Sequence, residues 1–266
     1  MKEKKVYAPF KVPDYRVIRP TMFLEKDGKT VASVQQLSSF TIGQSKLSFI
    51  TPNSASMFLN KSWKEYEKGL AIYNEIIKPN LKPGKTYDVP LDDLPKLYDY
   101  IEHIQTSIIT IYSAIEALSN LAIPNDFTLT KVNQKGVTET WNKVNIERWL
   151  TTEEKIGKIV PEILGIESPS KFPFWENFKN LKQIRDDIIH QKHSIGKPDD
   201  IESSFLQVLL NDTISSKIVA GFELIKYFCE KDQRHLYFPM LSSEVPVNVN
   251  IIDSFDGTFS FVNKQY

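Results

Sequence analysis

In Phe174-Trp-Glu-Asn-Phe-Lys-Asn-Leu-Lys-Gln-Ile-Arg-Asp-Asp-Ile-Ile-His190, the apolar residues Phe174, Phe178, Leu181 and Ile188 step by four, three and seven. That is the spacing of one helix face, and Arg185 stands at the rung where the ladder calls for leucine. A guanidinium is almost never buried alone, because its desolvation is so costly. Arg185 therefore snorkels to an edge, pairs with a carboxylate, or faces a cleft that takes an anion. His190 follows about 140° further round the helix. Asp186 and His190 form an i,i+4 pair on one face, where a carboxylate can orient an imidazole and raise its pKa, as proton transfer near neutral pH requires. A histidine at that place also serves simply as a helix-end cap. Asp186, His190 and His193 at i, i+4 and i+7 could offer three ligands to a divalent metal. Neither a fourth ligand nor a His-Glu-x-x-His pattern accompanies them.

The stretch Leu181-Lys-Gln-Ile-Arg185-Asp186-Asp-Ile-Ile-His190 resembles the signature of the HEPN family, an Arg followed four to six positions later by a His on a late helix of a bundle. Ile111-Tyr-Ser-Ala-Ile-Glu116-Ala-Leu-Ser-Asn120 is similar to the HEPN helix on which a polar or acidic residue faces the site, and Glu153-Glu-Lys-Ile-Gly-Lys-Ile-Val to the helix preceding the motif. The resemblance covers about residues 54–230. It implies a metal-independent, cofactor-free endoribonuclease for single-stranded RNA, working as a homodimer whose two motif helices meet in one cleft. His190 would move the proton and Arg185 would meet the phosphorane charge, for which a planar guanidinium fork is well shaped. Asp186 would orient one of them. Ser113, Glu116 and Asn120 form a polar line that can approach Arg185, and Lys182, Lys192 and His193 would add positive potential for substrate. A Glu116–Arg185 ion pair would account for both residues without catalysis, and the family includes non-catalytic modules that bind RNA or a partner. It also implies a role in stress response or phage defence, with an antitoxin or regulatory protein as a further partner.

These residues need a scaffold, and its elements are legible in outline. Residues 1–53 carry short β-branched runs separated by Pro13, Pro20, Asp27-Gly28 and Gly43, which predict strands and hairpin turns. From Ser54 the apolar period changes to three and four, predicting a helix that stops at Lys78-Pro79. The longest helical signal spans about Asp92–Ala122, with a seam of Ile101, Ile104, Ile108, Ile111, Ile115 and Leu118. A β-hairpin is expected near 126–141, then helices over about 145–164, 174–193 and 201–230. Residues 232–266 read as strands or an extended arm. The expected fold class is therefore mainly α: a helical bundle over 54–231 with β-strand extensions at both termini and an inserted hairpin.

Composition narrows the chemistry from outside. The 266 residues contain 33 Lys+Arg and 33 Asp+Glu, so no global field draws the chain to nucleic acid or to a membrane, and any polyanion must meet a local patch. The first twenty residues are basic, with Lys2, Lys4, Lys5, Lys11, Arg16 and Arg19 interleaved with Tyr7, Phe10 and Tyr15, which reads first as solvated charge at a terminus and second as a patch for base stacking. The single cysteine, Cys229, precludes an internal disulfide and multi-cysteine zinc sites, and its apolar helical setting predicts core packing. No apolar run reaches membrane-spanning length and no signal-peptide pattern opens the chain, so a cytoplasmic protein is expected. Phosphate-binding glycine loops and the Gly-x-Ser-x-Gly elbow are missing, which disfavours ATP hydrolysis and serine-hydrolase chemistry.

Overall fold

The computed structural model describes residues 6–132, 136–190 and 205–259. In chain order these form β1 (Val6–Lys11), β2 (Thr21–Glu25), β3 (Val31–Val34), β4 (Leu37–Ile42), β5 (Ser45–Ile50), α1 (Ser54–Ile72) and α2 (Leu94–Leu121). The hairpin strands β6 (Thr128–Val132) and β7 (Thr138–Asn142) follow, then α3 (Lys143–Trp149), α4 (Thr152–Glu154), α5 (Val160–Leu164), α6 (Phe174–Ile189), α7 (205–209), α8 (Ile214–Lys231), β8 (Glu244–Ile252) and α9 (Phe255–Thr258). They fall into two compact units, Met1–Ser56 with Phe228–Tyr266, and Met57–Tyr227.

A mainly α-helical bundle with separate β extensions is not what the chain builds. The described elements are about 52% helical and 19% strand. The two β-rich ends are one structure: β8 lies between β1, to which it is antiparallel, and β2, to which it is parallel, giving a four-stranded mixed sheet in the order β1-β8-β2-β3. Alternation reveals strands but not their partners, and here the partners sit at opposite ends of the chain. Under the sheet, Val12, Val17, Met240, Val245 and Val247 form an apolar core, with Phe10, Met22 and Ile50 packed against it. Arg19, expected in a basic RNA-binding stretch, is only 5% exposed and donates Nη1 to the Pro246 carbonyl at 2.9 Å and Nε to that of His235 at 3.3 Å. Arg16 is paired with Asp14. Lys2, Lys4 and Lys5 lie outside the described residues. Cys229 is buried, and burial pushes its thiol up to about 12.

The second unit is helical around α2. Ile104, Ile108, Ile111, Ile115 and Leu118 are all at most 2% exposed, as the seam predicts. Gly221 of α8 sets a close approach. A Cβ added there would lie 2.6 Å from Cγ1 of Ile111 on α2 and 3.0 Å from Cδ2 of Leu181 on α6, so only hydrogen fits where the three helices meet. This junction holds α6 against α2. The single helix expected over 145–164 is broken. Leu150 is extended, Thr151 and Glu154 form a capping box that restarts the chain as α4, and a π-helical turn follows over Lys155–Ile159 before α5. Among the described residues no helix is long and apolar enough to cross a membrane.

Candidate functional site

α6 buries Trp175, Phe178, Leu181 and Ile184, a stripe that leaves Arg185 on its edge. The Arg185 side chain is 17% exposed, and its guanidinium carbon sits 4.0 Å from the centre of the Tyr112 ring, which itself stacks on Phe178. A desolvated cation on an aromatic face is stabilised by up to about 2 kcal/mol. Arg185 Nη1 lies 2.9 Å from Oδ1 of Asp186, and Nη2 lies 3.4 Å from Oε1 of Glu116 on α2. Nε is buried and has no hydrogen-bond partner among the described residues. The long side chain is thus fixed from three directions, with the buried Nε–H left without an acceptor among those residues.

The turn after α3 completes the cluster. Thr152 donates its hydroxyl to Oε1 of Glu116 at 3.3 Å. Lys155, first residue of the π-helical turn and 4% exposed, donates its ammonium to Oδ1 of Asn120 at 2.8 Å and to the Glu147 carbonyl at 3.3 Å. Burial lowers the Lys155 pKa, with Glu116 and Glu147 acting in the opposite direction. Burial raises the Tyr112 phenol, opposed by Thr152 and by the Arg185 charge. Tyr112, Glu116 and Asn120 are successive i,i+4 neighbours on α2, so one helix face supplies an aromatic platform, a carboxylate and an amide to the part-buried Arg185 and the buried Lys155. Two features of this cluster bear on anion binding: desolvated cations held rigidly, and an opening toward solvent at Glu116, whose side chain is 44% exposed.

The structure brings together Arg185, Asp186, Glu116 and, through Lys155, Asn120. Lys182 joins them by bonding Asp186 at 3.2 Å. Ser113 does not, since its hydroxyl donates to the Ile109 carbonyl within α2. His190 is the exposed C-cap of α6, its backbone N–H bonded to the Asp186 carbonyl at 2.9 Å. Among the described residues the Asp186 carboxylate binds Arg185 and Lys182 and not the His190 ring. Lys192 and His193 lie outside the described residues, and with His193 goes one ligand of the Asp186/His190/His193 set. Within the described residues no group of three His, Cys, Asp or Glu side chains is placed to hold a metal ion.

Sequence reasoning missed Tyr112 and the ammonium of Lys155, although Tyr112 stands one turn before Glu116 and Lys155 lies in the stretch preceding the motif helix. It also missed a second ionic cluster between α1 and α2. Glu65, its side chain 6% exposed, accepts from Lys61 at 2.8 Å and Lys68 at 3.2 Å and lies 2.6 Å from Nδ1 of His103. The hydrogen bond from Lys61, aided by His103 and Lys68, holds the Glu65 carboxyl down at about 2 against the opposing effect of burial. The i−4 and i+3 lysines were a readable signal; His103 was not. No protein-family model, curated protein or solved structure matches the chain. The site therefore rests on its own residues.

Proposed function

We propose that the chain is a metal-independent endoribonuclease that cleaves single-stranded RNA in the cytoplasm, in stress response or phage defence. The observation that carries this reading is Arg185: a guanidinium held 4.0 Å over the Tyr112 ring and between two carboxylates, part-exposed on the helix whose C-terminus presents His190. Arg185 binds the scissile phosphate and stabilises the phosphorane charge. His190 takes the proton of the 2′-hydroxyl. The 2′-oxygen then attacks phosphorus, the P–O5′ bond breaks, and the departing 5′-oxygen takes a proton from an imidazolium. An imidazole suits both tasks because its charge changes between pH 5 and 8. Arg185 and His190 are separated by about 140° of helix, so a second copy supplies the facing helix and the second imidazole. Glu116, Asp186 and Tyr112 position Arg185.

A second reading has its own support. Glu116, Asp186 and Tyr112 already satisfy much of the Arg185 guanidinium, as a structural ion pair would, which favours a non-catalytic module that dimerises and binds RNA or a partner protein. The two separate in one assay. With EDTA present, wild-type protein is expected to cut single-stranded RNA and leave 2′,3′-cyclic phosphate ends, while Arg185→Ala and His190→Ala each lose at least about 100-fold in rate. Unchanged cleavage in both variants removes this site. Dimerisation and RNA binding without any cleavage by the wild type decides for the binding module.

A further inference from the structure

A cleft of about 430 Å³ lies elsewhere in the helical unit, at the end of α1 and against α2 and the start of α8. That volume is in the range of small-ligand sites. Its floor is buried and aromatic, including Tyr66 and Tyr100, while Asn74, Lys78 and Asp212 stand exposed around its mouth. The floor is shaped by a π-helical turn, Tyr73–Ile77, closed by a hydrogen bond from the Lys78 N–H to the Tyr73 carbonyl at 2.9 Å. This turn ends the helix begun by α1 and places Tyr73 and Asn74 in the cleft lining.

The polar groups are sorted in a way that selects a ligand. Tyr100 donates its hydroxyl to the Leu209 carbonyl at 2.9 Å and so offers the cleft only its ring. Tyr73 donates its hydroxyl to Oδ1 of Asp212, leaving Oδ2 as an acceptor at the mouth. Lys78 is the single cation of the lining among the described residues. An aromatic floor, a carboxylate acceptor and one cation together match a flat heteroaromatic ring that carries an amine and is linked to an anionic group. They do not match an ammonium ligand, which Lys78 would repel and which needs rings standing as a box. The Tyr73 and Tyr100 rings are instead inclined by only 34°, with centroids 5.9 Å apart.

We propose that this cleft binds a nucleotide, its base against the part-exposed Tyr73 ring, which the buried Tyr100 backs, an exocyclic amine of the base donating to Asp212, and its phosphate at Lys78. Base stacking on aromatic side chains with edge hydrogen bonds is how unpaired nucleotides are held. Adenine, cytosine and guanine carry an exocyclic amine, whereas uracil has none and its single N3–H is flanked by two carbonyl oxygens that a carboxylate repels, so AMP, CMP and GMP bind better than UMP. For its biological ligand, an RNA strand, the inference rests on the RNA reading above; the chemistry of the cleft does not. Along the α2 axis Tyr100 and Tyr112 are about 18 Å apart.

The experiment is a calorimetric titration of the full chain with each mononucleotide and with adenosine. AMP, CMP and GMP are expected to bind at least about fivefold more tightly than UMP, a preference lost in Asp212→Asn. Lys78→Ala is expected to weaken AMP about fivefold and to leave adenosine unchanged. No binding of any mononucleotide at millimolar concentration overturns the proposal, as does binding that neither variant alters. Mononucleotide binding by a chain that cuts no RNA defeats the nuclease reading and leaves this one standing. RNA cleavage without mononucleotide binding does the reverse.

Discussion

Two ionic clusters share α2, and they are inverses of one another. At the first, a carboxylate is the buried centre: Glu65 at 6% exposure, ringed by Lys61 and Lys68, which are each more than half exposed, and by His103. At the second the centre is a cation, Arg185 at 17%, and the surrounding carboxylates of Glu116 and Asp186 are the more exposed partners. Glu65 spends both oxygens on protein donors. Arg185 keeps a buried donor without a partner and an aromatic support that costs it no proton. A carboxylate with both oxygens engaged by protein donors holds helices together, whereas a part-exposed guanidinium with two of its five N–H groups on carboxylates has N–H groups left for an incoming anion. The difference separates a structural cluster from a candidate site where burial alone would not.

The largest expected effect is a split at Arg185. Methionine there keeps an apolar stem over Tyr112 and releases Glu116 and Asp186 to water, so stability changes by less than about 1 kcal/mol. RNA cleavage falls by at least about 100-fold. Urea unfolding and a cleavage assay on the same Arg185→Met preparation check both halves. A variant that unfolds readily would place Arg185 in the same structural class as Glu65 and break the comparison.

At Glu65 the opposite split is expected. Glu65→Gln removes the charge that three donors converge on, costing about 2 kcal/mol in urea unfolding, because Lys61 and Lys68 can rehydrate but the buried centre is no longer anionic. Cleavage by the folded variant stays within about twofold of wild type. The smallest effect is in pH. The Glu65 carboxyl is lower folded than unfolded, so its contribution is fully present above the ordinary carboxylate value near 4.5 and is lost as pH falls toward about 2. The stability gap between wild type and Glu65→Gln should therefore narrow by about 1 kcal/mol at pH 3.5. A gap that stays constant from pH 7 to pH 3 would show that Glu65 acts through packing and not through its charge.

How far the sequence could be read follows the range of the interactions involved. Period-three-and-four apolar spacing in α2 and α6 is a local property, and the buried seam from Ile104 to Leu118 agrees with it. Arg185 was legible as a charge beside an apolar face, but its rung was misplaced: the buried stripe is Trp175, Phe178, Leu181 and Ile184, with Arg185 on its edge and Phe174 and Ile188 only half-buried. Its setting was legible only in part, since Glu116 could be named as a partner while the Tyr112 ring beneath the guanidinium and the Lys155 ammonium behind Asn120 come from α2 and a π-helical turn brought together by packing. Thr151-Thr-Glu-Glu-Lys could be read as starting a turn inside the 145–164 helix, and the capping box bears that out, whereas nothing local marked Leu150 as extended.

By itself, then, the sequence determined that the chain coils along α1, α2 and α6 and extends in the hairpin of β6 and β7, and that Arg185 and His190 lie within about one turn and a half at the end of α6, because hydrophobic period and turn chemistry act within a few residues. Tertiary structure decided that β8 enters the sheet between β1 and β2, that Arg19 is an internal donor and not a free cation, and that Arg185 rests on Tyr112 between Glu116 and Asp186. Each of these is a meeting of residues far apart in the chain. Such pairings are fixed by the fit of side chains in three dimensions, for which linear spacing carries no signal.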